Sequence, residues 1–306
     1  MHRNVAAIVV GGALLLPAYL LIRTGLYGFA IFVSLPAILG GFASLFTDSK
    51  TESGAMKAGA LAALLSTCLF LLLGLEGAIC IVMSLPLAVP LGAAGGWIAF
   101  QLRSAGRGFT GAGMMLLLPG SLLWDLNSPN PVFEVRTAIE IAAPVETVWQ
   151  NVVSFSDLPE PEEWYFRAGI AYPKRARIEG TGSSAVRYCE FSTGPFVEPI
   201  EVWDEPRLLR FRVTENPAPM EEWSPYQNVL PRHLHGYLVS QNGQFRLTSL
   251  PGNRTLLEGT TWYQHGLQPA QYWRLWSDAI IHRIHLRVLN HIRRLSEQSA
   301  NRLGKG

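Results

Sequence analysis

Charged side chains are scarce in the first 130 residues of this 306-residue sequence. That stretch holds six Lys or Arg residues and four acidic residues, whereas the remaining 176 residues hold 19 of each sign. An ionisable side chain is costly to place in hydrocarbon, so a segment inside a bilayer is expected to be depleted of charge in this way. The sequence therefore predicts a membrane region followed by a region with an ordinary charged surface.

Cysteine and net charge are also low. Cys68, Cys80 and Cys189 are the three cysteines, and their spacing matches no metal-binding motif. The formal net charge of +2 is too small to indicate a nucleic-acid partner. Asp278, His282 and His285 have helical spacings that a metal site could use together with His233, His235 or His265. However, the chain has no compact ligand set such as His-Glu-x-x-His, so we expect no metal and no other cofactor.

Long apolar runs fill the first part of the chain. Four are clear, and each approaches or exceeds the ~20 residues that a helix needs to cross ~30 Å of hydrocarbon. They cover roughly Val5–Ile22, Leu26–Phe46, Ala58–Leu75 and Ala78–Leu102. Together with a shorter fifth run, they predict an N-terminal all-α transmembrane bundle of four to five helices. We expect a multi-pass integral protein of a bacterial-type inner membrane.

The apolar region contains an internal repeat with a period of 49 to 50 residues. Its first copy consists of Gly25-Leu-Tyr-Gly28, Ile31 and Ser34-Leu-Pro36, and its second of Gly74-Leu-Glu-Gly77, Ile81 and Ser84-Leu-Pro86. Two duplicated helical hairpins explain this spacing, and coincidence in a biased composition is the alternative. No acidic or His residue falls in the middle of a run, which favours an anchor or scaffold over an ion path.

The Lys and Arg residues of this region predict its orientation. One side of the membrane is expected to hold most of them, namely Arg3, Lys50, Lys57, Arg103 and Arg107, and only Arg23 falls on the other. The first side should therefore be cytoplasmic.

The fifth run, Phe109–Leu126, decides on which side the rest of the chain lies. The run is short and contains Pro119. If it spans the membrane, the C-terminal region is extracytoplasmic; if it is re-entrant or lies flat, that region is cytoplasmic. We favour a spanning run and hence an extracytoplasmic position.

The C-terminal region predicts an α+β domain. Alternating apolar residues indicate a strand over Phe133–Ile141, followed by a short helix that begins near Pro144. Six more strands are predicted at roughly Ala168–Glu179, Ala185–Ser192, Phe196–Trp203, Leu208–Thr214, Gly236–Thr248 and Thr255–Tyr263. Pro251-Gly-Asn253 predicts the last hairpin turn. Apolar residues spaced three and four apart then predict a long final helix over about Pro269–Ser299.

These patterns divide the chain into four predicted parts. Residues 1–126 form the transmembrane region, residues 127–132 a linker, residues 133–299 the α+β domain and residues 300–306 a tail. The linker is rich in residues that break regular structure.

Three segments of the α+β domain carry a resemblance to a known superfamily. They are the opening Ile139-Glu-Ile-Ala-Ala-Pro144 with Glu146-Thr-Val-Trp149 and Val152-Val-Ser-Phe155, the pair of strands in Glu201–Phe211, and the hairpin from Gly243 to Thr260. They resemble START-like domains (SRPBCC), which include polyketide cyclases/dehydrases, lipid-transfer START proteins and the plant Bet v 1 type. The resemblance implies a helix-grip fold, in which a curved antiparallel sheet surrounds a long C-terminal helix and leaves an apolar pocket. It implies no particular activity, because the superfamily shares no catalytic motif.

Aromatic residues crowd the later strands and the final helix. A pocket wall and an ordinary core are both compatible with them. The predicted ligand-binding cavity consists of Tyr188, Trp223, Tyr226, Tyr237, Glu258, Trp262, Tyr272, Trp273 and Trp276.

Four acidic residues on predicted strands are candidates for chemistry, namely Glu190, Glu198, Glu201 and Glu258. A carboxylate inside an apolar cavity has a raised pKa and is suited to act as a general acid or base. Strand alternation makes Glu258 the inward candidate and the possible catalytic residue. The alternative is that these carboxylates pair with strand arginines such as Arg187 or Arg210.

The sequence thus predicts a membrane-anchored START-like protein that binds a lipid or another hydrophobic small molecule. Membrane lipid and such a ligand are the expected partners. An enzyme of the polyketide cyclase/dehydrase kind and a non-catalytic interaction module on a membrane scaffold are the alternatives.

Overall fold

A computed structural model of the protein describes residues 16–106, 113, 116–226 and 231–303. The chain folds into two units that do not follow the order of the sequence. The first unit contains Met1–Pro129 together with two later segments, Glu222–His233 and Leu267–Tyr272, and the second unit contains the remainder. The predicted boundaries of the four parts stay predictions.

Apolar helices build the first unit. Helix α1 spans Ala30–Thr47 and opens with a π-helical turn, α2 spans Glu52–Leu72, and α3 spans Ala78–Ser104. Thr51 caps α2, because its hydroxyl accepts a hydrogen bond of 3.1 Å from the backbone N–H of Gly54. Each of the three helices is long and apolar enough to cross a membrane.

The number of candidate spans differs from the predicted four to five. Residues 16–24 are helical, but most of the predicted run Val5–Ile22 lies outside the described residues. The predicted run Phe109–Leu126 also lies partly outside them. The helix described there, α4 (Leu117–Asn127), has 11 residues, fewer than a span requires. The described part of the chain therefore contains three candidate spans.

Glycine lets the three long helices approach one another closely. A Cβ atom on Gly40 would lie 2.0 Å from the carbonyl oxygen of Gly92, and one on Gly92 would lie 2.5 Å from the Cβ of Ala63. Helix pairs in membranes use small residues in this way, because close backbone contact replaces the hydrophobic driving force that lipid removes.

A carboxylate caps the start of α1. The two oxygens of Asp125 accept hydrogen bonds from the backbone N–H groups of Phe29 and Ala30, at 2.7 and 3.0 Å. The first turn of a helix has unpaired N–H groups and a partial positive charge, and a carboxylate satisfies both.

A second carboxylate caps α3 in the same way. The oxygens of Glu222 accept hydrogen bonds from the N–H groups of Ile79 and Cys80, at 2.8 and 3.0 Å. Ile79 and Cys80 follow the two N–H donors at the start of α1 by 50 residues. The copies of the sequence repeat therefore share one helix-capping arrangement, as two duplicated hairpins would.

One antiparallel sheet organises the second unit. Its strand order is β1-β7-β6-β5-β4-β3-β2. The strands are β1 (Val132–Ile141), β2 (Pro173–Glu179), β3 (Val186–Phe191), β4 (Gly194–Asp204), β5 (Leu208–Arg212), β6 (Leu238–Leu250) and β7 (Arg254–His265). Every predicted strand is present.

Helices and one tight turn complete this unit. The short helices α5 (Val145–Val153) and α6 (Trp164–Arg167) precede β2, and the long helix α7 (Ala270–Leu303) ends the described chain. The turn between β6 and β7 has φ of 79° at Gly252 and 53° at Asn253. Gly and Asn tolerate such left-handed conformations, so the predicted hairpin turn is confirmed.

The core of the second unit lies between the sheet and α7. Leu209 and Leu257 of the sheet and Leu289 and Ile292 of α7 are fully buried in one cluster with Trp149 of α5. The sheet curls around the helix, so the predicted helix-grip arrangement is confirmed.

Gly95 of α3 offers a test of the helix packing. A Cβ at this position would lie 1.9 Å from the carbonyl oxygen of Ala37 in α1. We expect Gly95→Ala to destabilise the full-length protein in detergent by about 1–3 kcal/mol through overpacking, with a lower midpoint of thermal unfolding. Gly120→Ala in α4 is the matched control, because no described atom lies within 4 Å of its added Cβ. Equal midpoints for the two variants would contradict the packing.

Candidate ligand-binding site

A cavity of about 150 Å³ lies between the sheet and α7 in the second unit. An apolar cavity of this volume holds a molecule as large as benzene. Most of its lining is apolar and includes Phe191, Phe196, Phe211 and Phe245 from the sheet, Pro217, Ala218, Pro219 and Met220 from the segment after β5, and Ile280, Ile284 and Val288 from α7.

A buried ion pair interrupts this apolar lining. Arg187 on β3 stands directly opposite Glu198 on β4, and its guanidinium donates a hydrogen bond to the Glu198 carboxylate. The two side chains are only 2% and 8% exposed. The guanidinium carbon also lies 5.5 to 5.6 Å from the ring centres of Phe155, Phe211 and Phe245. Cation–π attraction therefore adds to the ion pair.

The ion pair keeps a positive charge in the cavity wall. Burial acts to lower the pKa of Arg187, but the Glu198 carboxylate acts against it, and the pKa lies above its usual value. Burial raises the pKa of Glu198, and the guanidinium acts in the opposite direction. Arg187 therefore remains a cation at neutral pH.

One polar atom in the wall lacks a partner. Within the described part of the chain, Nε of Arg187 has no hydrogen-bond partner, and Arg187 lines the cavity. A buried donor without a partner costs about 1–3 kcal/mol. An oxygen atom of a bound molecule that accepts this hydrogen bond would remove that cost.

A neutral histidine faces the same cavity from α7. Nε2 of His285 lies 2.8 Å from the hydroxyl of Thr261, and its Nδ1 lies 3.1 Å from that of Thr137. Burial, with a contribution from His282, lowers the pKa of His285 to about 4. The imidazole is therefore uncharged at neutral pH and supplies one donor and one acceptor.

Cys189 lines the cavity as a thiol. Burial raises its pKa to about 12, although the nearby Arg187 acts to lower it. The thiolate is the nucleophilic form of cysteine, so Cys189 is not an activated nucleophile. Among the described residues of this unit, no three His, Cys, Asp or Glu side chains are grouped closely enough for a metal ion.

Three of the residues predicted to line a ligand site belong to the first unit. The hydroxyl of Tyr226 donates a hydrogen bond of 2.5 Å to the carbonyl oxygen of Leu72. The hydroxyl of Tyr272 donates to the carbonyl oxygen of Met83. Trp223 is exposed.

Five further predicted residues lie in the second unit. Arg177 stacks on the ring of Tyr188 at 4.0 Å, and the indole N–H of Trp262 donates a hydrogen bond of 2.9 Å to Glu134. The other three are buried or half-buried, namely Tyr237, Trp273 and Trp276.

Glu258, the predicted catalytic candidate, is paired with Arg136 at 3.7 Å. It adjoins the fully buried Leu257 on β7, and successive residues of a strand face opposite sides. Glu258 therefore points away from the core. All nine predicted residues are described, and none is among those that line the cavity. Their role in ligand binding stays a prediction.

The carboxylate that does line the cavity is Glu198. Sequence reasoning named Glu198 and Arg187 as candidates for strand pairing but did not place them in a cavity. The sequence did contain one signal. Arg187, Cys189 and Phe191 are spaced two residues apart on β3 and therefore share one face, on which the arginine is the only charged residue of the three.

Solved structures with a similar arrangement are found for the C-terminal part. An aromatase/cyclase from a Streptomyces species is 16% identical, with 55% of this chain and 95% of that chain covered and a TM-score of 0.36. A point mutant of norcoclaurine synthase from Thalictrum flavum is 10% identical, with 56% and 99% covered and a TM-score of 0.37. A protein from Nitrosospira multiformis is 17% identical, with 54% and 96% covered and a TM-score of 0.35. These values are too low to carry an argument about function.

No family model and no curated protein matches the sequence. The fold assignment of the second unit therefore rests on its own strand order and on the helix that the sheet surrounds.

Glu198→Gln tests the buried ion pair. The substitution leaves Arg187 buried without a counter-ion, so we expect it to lower the free energy of unfolding by about 3–5 kcal/mol. Glu201→Gln on the same strand is the control, because Glu201 is 40% exposed and lies 3.6 Å from Arg210. We expect a loss of about 0–1 kcal/mol there. Unfolding of the full-length protein in detergent measures both, and losses of equal size would argue against the buried pair.

Proposed function

We propose that the second unit binds a small hydrophobic molecule in the cavity between its sheet and α7. One observation carries the proposal: the wall of an apolar cavity contains a buried cationic side chain, Arg187, whose Nε has no hydrogen-bond partner among the described residues. Ligand pockets combine an apolar lining with a few polar groups that orient the ligand.

The cavity favours a ligand with an apolar body and at least one oxygen acceptor. A carbonyl, phenolate or carboxylate oxygen would accept a hydrogen bond from the guanidinium of Arg187. The volume of about 150 Å³ accommodates one ring or a short chain. A lipid would therefore place only part of its chain inside.

A catalytic role of the cyclase/dehydrase kind is the second candidate. It is favoured by the presence of a carboxylate with a raised pKa, Glu198, and a neutral imidazole, His285, in the wall of one cavity. However, the carboxylate is paired with Arg187, and a histidine with a pKa of about 4 is a weak base at neutral pH. Binding without turnover is therefore the preferred function.

We infer that the first unit anchors this domain in a membrane. Large apolar side chains on the long helices point outward, and Leu61, Leu65, Leu72 and Val82 are each more than half exposed. Such a surface is unfavourable in water but is suited to lipid. Membrane lipid is then a partner of the first unit.

Contacts within the first unit support an extracytoplasmic position for the segment Glu222–His233. Arg103 near the end of α3 forms an ion pair of 3.2 Å with Asp48, and Asp48 is close to Lys50 in the sequence. Because this end of the helices carries basic residues, it should face the cytoplasm. Glu222 caps the opposite end of α3.

The same contacts support a crossing by the fifth apolar run. Ser104 ends α3 at the basic end, whereas Asp125 caps the start of α1 at the other end. The chain thus passes from one end of the helices to the other in about 20 residues, the length of one helical span.

Filling the cavity should displace its ligand. We expect the full-length protein purified in detergent to carry one hydrophobic molecule per chain, observed by native mass spectrometry and identified after extraction. Ile284→Trp places an indole in the cavity and should lower occupancy at least about tenfold, which corresponds to ~1.4 kcal/mol. Leu275→Trp on the same helix is the control, because Leu275 is 70% exposed. A wild-type protein without a bound molecule, or equal occupancy in both variants, would contradict the proposal.

Thiol labelling tests sidedness. In spheroplasts, a membrane-impermeant maleimide should label Thr181→Cys in the exposed turn after β2 and leave Lys50→Cys unlabelled. Inside-out vesicles should reverse the result, and the unsubstituted protein gives the background of the native cysteines. Absence of labelling at Thr181→Cys in spheroplasts, with labelling in inside-out vesicles, would place the second unit in the cytoplasm.

A further inference from the structure

A second cluster of polar side chains lies in the first unit, at the turn between α2 and α3. Glu76 belongs to the turn, Cys80 to the first turn of α3, and Glu222 and His233 to the later segment of the same unit. The side chains of Glu76, Glu222 and His233 are 7%, 0% and 5% exposed. Four residues with metal-binding side chains are thus brought together, three of them with buried side chains and Cys80 partly buried.

We propose that Glu76, Cys80 and His233 bind a divalent metal ion of the zinc class. Each offers one ligand atom within 4.8 Å of the other two. Sγ of Cys80 lies 2.7 Å from Nε2 of His233, and Nδ1 of the same ring lies 3.3 Å from Oε2 of Glu76. Zn²⁺ takes thiolate, imidazole and carboxylate ligands, and the soft sulfur disfavours Mg²⁺ and Ca²⁺.

The Glu76 carboxylate has no permanent counter-charge. Glu222 rests on the start of α3, whereas Glu76 is buried and its ion-pair partner among the described residues is His233, at 3.3 Å. The imidazole is a cation only when it is protonated. Uncompensated buried charge is costly, so a divalent ion would stabilise the cluster.

Two atoms of the cluster face each other without a hydrogen bond. Oε2 of Glu76 and Nδ1 of His233 lie 3.3 Å apart, and neither has a hydrogen-bond partner among the described residues. The other oxygen of Glu76 accepts a hydrogen bond of 2.7 Å from the hydroxyl of Tyr27. One carboxylate oxygen is therefore held and the other remains available, which is how outer groups orient a metal ligand.

A comparison of the two copies of the internal repeat distinguishes the residues needed for helix capping from those that would bind a metal. Both copies begin their helix with a carboxylate cap, but the positions that correspond to Glu76 and Cys80 are Tyr27 and Ala30 in the first copy. The cap therefore requires neither a thiol nor a second carboxylate. Glu76, Cys80 and His233 occur together only at the second copy, and capping does not account for them.

Metal binding would require the three ligand atoms to converge. Sγ of Cys80 lies beside Nε2 of His233 and Oε2 of Glu76 lies beside Nδ1, so the Glu76 carboxylate would have to move toward the nitrogen that binds the ion. In a tetrahedral zinc site, bonds of ~2.3 Å to sulfur and ~2.0 Å to nitrogen place the two ligand atoms about 3.5 Å apart. The present separation of 2.7 Å between Sγ and Nε2 would open by less than about 1 Å. The bound ion would then hold the segment Glu222–His233 on the turn between α2 and α3.

Metal analysis of the full-length protein in detergent tests the site. We expect about one zinc-class ion per chain in the wild type by elemental mass spectrometry, and at least a tenfold loss in Cys80→Ser and in His233→Gln. Cys68→Ser and His235→Gln are the matched controls, because neither residue belongs to the group of ligand atoms and His235 is exposed. Equal metal content in all four variants would overturn the proposal.

Two measurements on the wild type do not depend on whether the variants fold. Replacement of the ion by Co²⁺ should produce a thiolate-to-cobalt charge-transfer absorption. Zn²⁺ should protect Cys80 from alkylation, and a chelator should expose it, while Cys68 reacts equally in both states. A wild-type protein that neither carries a metal nor takes up Zn²⁺, or a cobalt form without the thiolate band, would show that the cluster is only a histidine–carboxylate pair.

Discussion

Charge that is buried away from water must be compensated inside the protein, and this constraint shapes the polar architecture of both units. In the second unit, Arg187 and Glu198 compensate one another across neighbouring strands. In the first unit, Asp125 and Glu222 rest on the positive ends of two helices. The remaining imbalance at Glu76 and His233 is what points to a cation.

The cavity follows from the geometry of the second unit. A sheet that curls around a helix forms a wide concave surface, and one helix fills only part of it. Fully buried side chains such as Leu257 and Leu289 close one part of the core, while Phe211 and Phe245 border the space that remains. An ion pair in the wall of that space supplies hydrogen-bond donors without exposing a charge to solvent. The domain therefore combines a stable core with a specific polar contact.

The two copies of the repeat in the first unit share one helix-capping arrangement but differ in the side chains that surround it. Each copy presents the start of a helix to a carboxylate that comes from elsewhere in the chain. At the first copy, the carboxylate only caps the helix; at the second, a thiol, an imidazole and another carboxylate surround it. Tyr27 and Glu76 occupy corresponding positions in the two copies, and a hydrogen bond joins them. The two copies are thus coupled at the cluster itself.

The sequence by itself determined the elements, because these depend on local patterns. Apolar length marked α1 to α3, period-two alternation marked the strands, and Pro251-Gly-Asn253 marked the last turn. Only the tertiary structure decided the site. Whether Glu258 or Glu198 faces the cavity depends on how all seven strands pair and curl, and Arg187 resembles a surface residue until its partner is placed. Cys80 and His233 are 153 residues apart, so no local pattern brings them together. The folded backbone does so, because it brings the later segment Glu222–His233 back to the start of α3.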